Sequence, residues 1–114
     1  MEIARSQNDG IIILAPSGRI DQDTSAAFQA ALSGEIAGAA PASVVVDFTA
    51  IEYISSVGLR ALMIGAKESK ASGGKLAVAA LRPVVQEVFQ ISRFDKVIKT
   101  FDTVEDATTW MQED

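Results

Sequence analysis

The chain has 114 residues, 48% of them hydrophobic and 22% charged, which is enough to form a domain with its own core. It contains neither cysteine nor histidine. Their absence excludes disulfides, thiolate chemistry, and the most frequent general base and transition-metal ligand. The net charge of −5 argues against nucleic-acid binding, because that function requires a basic surface that displaces counterions.

Localisation signals are also missing from the printed sequence. No apolar run approaches the roughly 20 residues that a membrane span needs, so no membrane partner is expected. The first residues, Met1–Ser6, have neither the basic nor the apolar part of a secretory signal. We therefore expect a single domain over residues 1–114 that functions in the cytoplasm.

The first half of the chain predicts two strands, a helix and a third strand. Residues 2–6 indicate a weak strand, Gly10 a turn, and Ile11–Pro16 an apolar strand that ends early or lies at an edge. The polar residues 21–24 begin a helix. Its apolar residues recur at helical spacing: Ala27, Phe28, Ala31, Leu32 and Ile36. The continuous apolar run Val44–Phe48 is typical of a buried parallel strand.

The second half alternates helices with strands. A helix begins near Ser56 and ends at the glycine pair 73–74, and Lys75–Leu81 is the next strand. Pro83 begins a third helix. The predicted inward face of that helix is Val84, Val85, Val88, Phe89 and Ile91. Val97 and Ile98 predict a short last strand, and Thr103 begins a fourth helix with a sequence resembling a capping box.

This element order, ββαβαβαβα, predicts an α/β fold with a mostly parallel five-stranded sheet and about four helices. The first two strands are too close in sequence for a crossover, so the N-terminal strand should pair antiparallel. Functional loops of such folds lie at the carboxyl ends of the parallel strands. We therefore expect the segments around Asp21 and around Ser55 and Ser56 to be neighbours.

Ser55 and Ser56 are the main candidate functional residues, and two interpretations are open. A serine at the start of a helix is favoured as an N-cap. The same position also suits a phosphate, because the first N–H groups lack partners and the helix dipole is positive there. The small Gly58 and the apolar Val57 and Leu59 follow directly, which favours contact with another protein.

Enzymatic activity is not expected of this chain. A Ser-His-Asp triad is impossible without histidine, and the lysines lie near solvated ends or faces of their elements. A small hydrolase using either serine would react with a phosphonate probe, which we do not expect. No glycine pattern indicates a nucleotide site. We predict no catalytic residue, no cofactor and no metal site. Asp47, at the end of a strand, is expected to bind loop backbone.

Several segments resemble the STAS domain, the module named for sulfate transporters and anti-sigma factor antagonists. The most specific are Val44–Phe48 and Tyr53–Leu59, which includes Ser-Ser-Val-Gly-Leu. Gly18–Asp21, Gly73–Leu76 and Val85–Phe94 add to the resemblance, which extends over nearly the whole chain. Within the family, the chain is most similar to stand-alone bacterial anti-sigma factor antagonists.

The resemblance implies the site residues. The family's phosphorylated residue lies two positions before the glycine, which is Ser56 in this chain. Ser55 stands where many members have aspartate, a departure that leaves Ser55 as an alternative acceptor. Asp21 matches an acidic residue of the same partner-facing surface. The implied partner-binding residues are Asp21, Ser55, Ser56, Val57, Gly58 and Leu59.

The implied function is partner switching in transcription regulation. The unphosphorylated domain would bind an anti-sigma factor that is a serine kinase of the histidine-kinase-like ATPase fold. Phosphorylation of Ser56 would release it, and a metal-dependent serine phosphatase would reverse the change. ATP and Mg²⁺ belong to those partners. The alternative is a constitutive STAS scaffold or ligand-sensing module in a pathway other than sigma control.

Overall fold

The computed structural model describes residues 1–113, so Asp114, the last residue of the predicted domain, lies outside it. The strands are β1 (Ile3–Asn8), β2 (Ile11–Pro16), β3 (Gly18–Ile20), β4 (Ser43–Asp47), β5 (Ile51–Ile54), β6 (Lys75–Ala79) and β7 (Lys99–Phe101). The helices are α1 (Ser25–Gly38), α2 (Ser56–Ala71), α3 (Pro83–Ile91) and α4 (Val104–Met111). A 3-10 turn covers Phe94–Lys96.

The main sheet has the five strands that the sequence predicts, and their spatial order is β1-β2-β4-β6-β7. Strands β1 and β2 form an antiparallel hairpin, and the other pairs are parallel. Asp9 and Gly10 join the hairpin with φ values of 52° and 78°. Two successive residues with positive φ form the kind of tight turn whose twist matches that of the paired strands.

The helices cover both faces of this sheet. On one face, Val44 and Val46 of β4 belong to a core built with α1, α2 and α3. On the other face, Val45 packs in a smaller core with Ala107 and Met111 of α4. All three valines are fully buried, which explains why the run Val44–Phe48 shows no alternation of polar and apolar residues.

Phenylalanine side chains connect the larger core. The Phe48 ring meets those of Phe28 and Phe89 edge-to-face, at centroid distances of 6.5 and 6.2 Å. The Phe89 ring meets that of Phe94 at 5.3 Å in the same manner. Edge-to-face pairs are favourable beyond the area they bury. They join α1, the end of β4, α3 and the 3-10 turn into one packed unit.

A second, two-stranded sheet was not predicted. Strands β3 and β5 pair in parallel, with Ile20 opposite Ile54. Both isoleucines are fully buried, and so is Ile51 at the start of β5. The sequence predicts no strand between Phe48 and the helix that begins near Ser56, although Ile51–Ile54 is one. This small sheet lies immediately before α1 and α2, and it positions the starts of both helices.

Two local predictions were wrong. Val84 and Ile91 are not on the inward face of α3, because they are 56% and 76% exposed. Val85 and Phe89 are the buried residues of that helix. The apolar residues of α3 extend around more of the helix than the face that packs on the domain. The last strand is β7, not Val97–Ile98, because the pairing with β6 begins at Lys99. Asp47 binds the loop as expected: its Oδ1 accepts bonds from the N–H and hydroxyl of Thr49.

Candidate functional site

Ser55 is the N-cap of α2. Its backbone is extended, and its side-chain oxygen accepts a hydrogen bond from the Gly58 N–H at 3.3 Å. Its carbonyl oxygen accepts a bond from the Leu59 N–H at 2.9 Å. The bond from Leu59 is the first regular bond of the helix, and the side-chain bond satisfies the Gly58 N–H, one of the groups that have no partner within the helix. Ser55 is half-buried, and its hydroxyl oxygen is already occupied by the hydrogen bond from the Gly58 N–H.

Ser56 is the first residue of α2, and its side chain is exposed. Val57, which follows it, is 43% exposed and is one of the few large apolar side chains on the surface. The N–H groups of Ser56 and Val57 have no acceptor within the helix, because they precede the first possible intrahelical bond. The Ser56 hydroxyl therefore stands at the positive end of the helix dipole and is open to solvent.

The pairing of β3 with β5 brings the Asp21 segment beside the two serines. The Ser55 N–H donates to the carbonyl oxygen of Ile20 at 2.9 Å, which continues the parallel ladder by one bond. Asp21 is the next residue after Ile20, so the loop that begins α1 lies against the loop that begins α2. The expected proximity of these two segments is confirmed.

Asp21 is held in a turn before α1. Its Oδ1 accepts a hydrogen bond from the Asp23 N–H at 3.0 Å. The Thr24 hydroxyl oxygen accepts from the Asp21 N–H at 3.0 Å and donates to the Arg19 carbonyl at 2.7 Å. These bonds fix a half-exposed carboxylate in position. Thr24 itself makes no side-chain cap to the helix N–H groups.

Arg19 and Tyr53 are surface residues beside the candidate site that were not predicted from the sequence. The Arg19 guanidinium lies 4.6 Å from the centre of the Tyr53 ring, and its Nε is 3.7 Å from Asp21 Oδ2. Arg19 and Tyr53 face each other across the β3–β5 pair. Their pairing depends on a strand contact that the sequence did not reveal. The only sequence signal for strand β5 was the alternation of apolar and polar residues in Ile51, Glu52 and Tyr53.

Gly58 allows the close approach of α2 to the small sheet. A Cβ atom at this position would lie 2.9 Å from the Ile20 carbonyl oxygen and 2.7 Å from Ile54 Cγ1. Contacts under about 3 Å require the neighbouring atoms to move. Any larger residue would therefore push the start of α2 away from β3 and β5.

The predicted site residues divide into two groups. Ser56 and Val57 are exposed, and Asp21 and Ser55 are half-buried, so these four can meet a partner. Gly58 is buried, and Leu59 is 9% exposed and belongs to the larger core. Their part in the site is to position the helix start. Among residues 1–113, no cluster of three or more acidic, histidine or cysteine side chains has the geometry to hold a metal ion.

Comparison with known proteins decides the family. A family model described as the STAS domain matches residues 2–107. The chain belongs to the STAS domain family. Within the described residues, no helix of this STAS domain is long and apolar enough to cross a membrane.

Its relatives include proteins named as anti-sigma factor antagonists. The chain is 31% identical over 104 residues to the anti-sigma-F factor antagonist RsfB of Mycobacterium tuberculosis, covering 91% of this chain and 84% of RsfB. The crystal structure of an anti-sigma factor antagonist from Mycobacterium paratuberculosis is 27% identical, with a TM-score of 0.89 over 98% of this chain and 94% of that one. These names describe regulators and not enzymes, in agreement with the sequence analysis.

A more distant structure shares the fold. The phosphorylated form of SpoIIAA, a Bacillus cell fate determinant, superimposes with a TM-score of 0.71 over 97% of this chain and all of that one. The two sequences are 18% identical, which shows the fold alone.

Replacing each serine by alanine distinguishes the serine that caps α2 from the serine that is merely exposed. Ser55→Ala removes the side-chain acceptor of the Gly58 N–H, so we expect a loss of about 1 kcal/mol in the free energy of unfolding. Ser56→Ala removes an exposed hydroxyl and should change it by less than about 0.5 kcal/mol. Urea denaturation of both variants measures the difference. Equal losses in the two variants would contradict the assignment of Ser55 as the cap.

Replacing glycines tests the packing of α2 on the small sheet. Gly58→Ala should lower the free energy of unfolding by about 1–3 kcal/mol, because the added methyl meets the Ile20 carbonyl. Gly34→Ala is the matched control in α1, where a Cβ meets nothing within 4 Å. It should raise the same free energy by about 0.5–1 kcal/mol, since alanine favours a helix interior. A neutral or stabilising Gly58→Ala would show that the contact is loose.

Proposed function

We propose that this STAS domain, taken as residues 1–114, is a cytoplasmic anti-sigma factor antagonist controlled by phosphorylation of Ser56. The unphosphorylated domain binds an anti-sigma factor, and the phosphorylated domain does not. The observation that carries this proposal is the division of roles between two adjacent serines. Ser55 caps α2, whereas the Ser56 hydroxyl is exposed at the first position of the same helix.

The geometry favours Ser56 over Ser55 as the acceptor. A kinase has to bring the serine hydroxyl in line with the transferred phosphoryl group, so the hydroxyl must be reachable from solvent. Ser56 satisfies this requirement without any change in the domain. A phosphate on Ser55 Oγ would displace the bond from the Gly58 N–H and crowd a half-buried residue. We therefore assign the switch to Ser56 and the cap to Ser55.

A phosphate on Ser56 is compatible with the fold. It adds about −1.5 to −2 charges beside the positive end of the α2 dipole and near two N–H groups without helical acceptors. Both effects favour the helix start, so phosphorylation leaves the domain folded. Phosphorylation instead changes the contact with the partner. The partner's surface closes over a neutral hydroxyl in one state and meets a bulky dianion in the other.

The surrounding surface supports a protein partner. Val57 offers an exposed apolar side chain next to Ser56, and the turn at Asp21 fixes a carboxylate on the neighbouring loop. Arg19 and Tyr53 stack on the same small sheet. An apolar contact with charged groups around it is the usual composition of a protein interface. We propose that Asp21, Ser55, Ser56 and Val57 contact the partner, with Gly58 and Leu59 supporting them from below.

The relatives suggest which partners to look for. RsfB is named an antagonist of an anti-sigma factor, and SpoIIAA exists in a phosphorylated form. We propose that the partner here is an anti-sigma factor serine kinase of the histidine-kinase-like ATPase fold. A metal-dependent serine phosphatase would restore binding. ATP and Mg²⁺ act in those proteins, and the STAS domain supplies the hydroxyl.

The proposal predicts the effect of a negative charge at residue 56. Ser56→Asp should weaken binding to an anti-sigma factor kinase of the same genome at least tenfold, about 1.4 kcal/mol, because the carboxylate is placed in the interface. Thr109→Asp, at an exposed position of α4, adds the same charge elsewhere and should bind like the native protein. Isothermal titration calorimetry measures both affinities, and thermal unfolding should show that both variants remain folded.

Two outcomes would contradict the switch. Unchanged affinity of Ser56→Asp would favour the constitutive scaffold or ligand-sensing alternative. Equal weakening by Thr109→Asp would mean that net charge, and not the Ser56 surface, controls the affinity.

A further inference from the structure

We propose a second binding site, for a small aromatic anion, at the opposite end of the sheet from Ser56. The site is a groove of about 410 Å³ between the last turn of α2, the starts of β6 and β7, and α4. We call it the lysine groove after three of the residues that line it: Lys70, Lys75 and Lys99. A volume in this range suits a small organic ligand.

The walls of the groove are mainly apolar. The buried Leu76 and Ile98 line it together with Trp110 and the half-exposed Val97. Trp110 is the only tryptophan of the chain. Its indole packs on the Phe101 ring at a centroid distance of 5.6 Å, which holds it in place. A fixed indole beside aliphatic side chains favours a flat aromatic ligand.

The charge of the groove is opposite to that of the protein. Three of the five lysines line it, and none of its lining residues is acidic, whereas the whole chain carries a net charge of −5. The convergence of these lysines on one apolar groove therefore selects for an anion.

Of the three lysines that line the groove, one already donates hydrogen bonds to backbone carbonyl groups, and the other two are exposed. Lys75 is half-buried, and its Nζ donates to the carbonyl oxygens of Glu113 at 2.8 Å and Trp110 at 3.4 Å. The same ammonium lies 5.1 Å from the centre of the Trp110 ring. Lys70 and Lys99 are exposed, and neither belongs to an ion pair within residues 1–113. These two ammonium groups are the ones that would bind the carboxylate or phosphate of a ligand.

The site is separate from the proposed phosphorylation surface. Helix α2 begins at Ser56 and reaches the groove at its other end, and its 16 residues span about 24 Å. A ligand in the groove leaves Ser56 accessible. The inference therefore does not rest on the proposed function, and either can fail without the other.

The test is a titration of the full chain followed by ¹⁵N–¹H NMR. The probe is 2-naphthoate, with the cation 2-naphthylmethylammonium and the neutral 2-naphthylmethanol as ligands of matched shape. We expect 2-naphthoate to shift the amides of Gly73, Gly74 and Lys99 and the indole N–H of Trp110. The cation should shift none of them, and the neutral compound should bind at least tenfold more weakly than the anion.

Charge reversal provides the matched variants. Lys70→Glu combined with Lys99→Glu should weaken 2-naphthoate binding at least tenfold. The control combines Lys67→Glu with Lys96→Glu, which are exposed lysines outside the groove, and makes the same change in net charge. It should bind like the native chain. If the first variant loses its dispersed spectrum, Lys70→Gln with Lys99→Gln takes its place.

Several results would overturn the proposal. These are equal binding of the three ligands, shifts that lie away from the groove, equal weakening in the control variant, and no binding of 2-naphthoate at millimolar concentration.

Discussion

The carbonyl group of Ile20 is the contact on which the functional end of this domain depends. It accepts a hydrogen bond from the Ser55 N–H, and it would lie 2.9 Å from any Cβ placed on Gly58. One backbone group thus fixes both the cap residue and the first turn of α2 against β3. Because Ile20 is also the last residue of β3, the same contact determines where Asp21 emerges.

This arrangement assigns different tasks to two chemically identical side chains. Ser55 follows the strand β5 and is drawn inward by the pairing with Ile20, so its hydroxyl oxygen serves the helix. Ser56 is one residue further along and projects into solvent at the positive end of the dipole. Under the proposed function, a covalent phosphate at that position would be tolerated by the domain itself and would act through the partner interface. Regulation then needs no conformational change within the STAS domain.

The main sheet could be predicted because its strongest signals are local. Val44–Phe48 is apolar throughout, and Thr103 caps α4 with its hydroxyl, as its spacing to Asp106 indicates. Strand β3 has three residues and exists only through its pairing with β5, so no local pattern reveals it. The same tertiary contact creates the Arg19–Tyr53 pair. For α3, the sequence showed a wide apolar arc, and only packing decided that Val85 is buried and Ile91 is exposed.

The most direct test of the account is to map the phosphate. The purified chain is incubated with an anti-sigma factor kinase of its own genome, ATP and Mg²⁺, and the modified peptide is fragmented by tandem mass spectrometry. We expect one phosphate per chain, on Ser56, and continued phosphorylation of the Ser55→Ala variant. Phosphate on Ser55, or on a serine far from the start of α2, would contradict it.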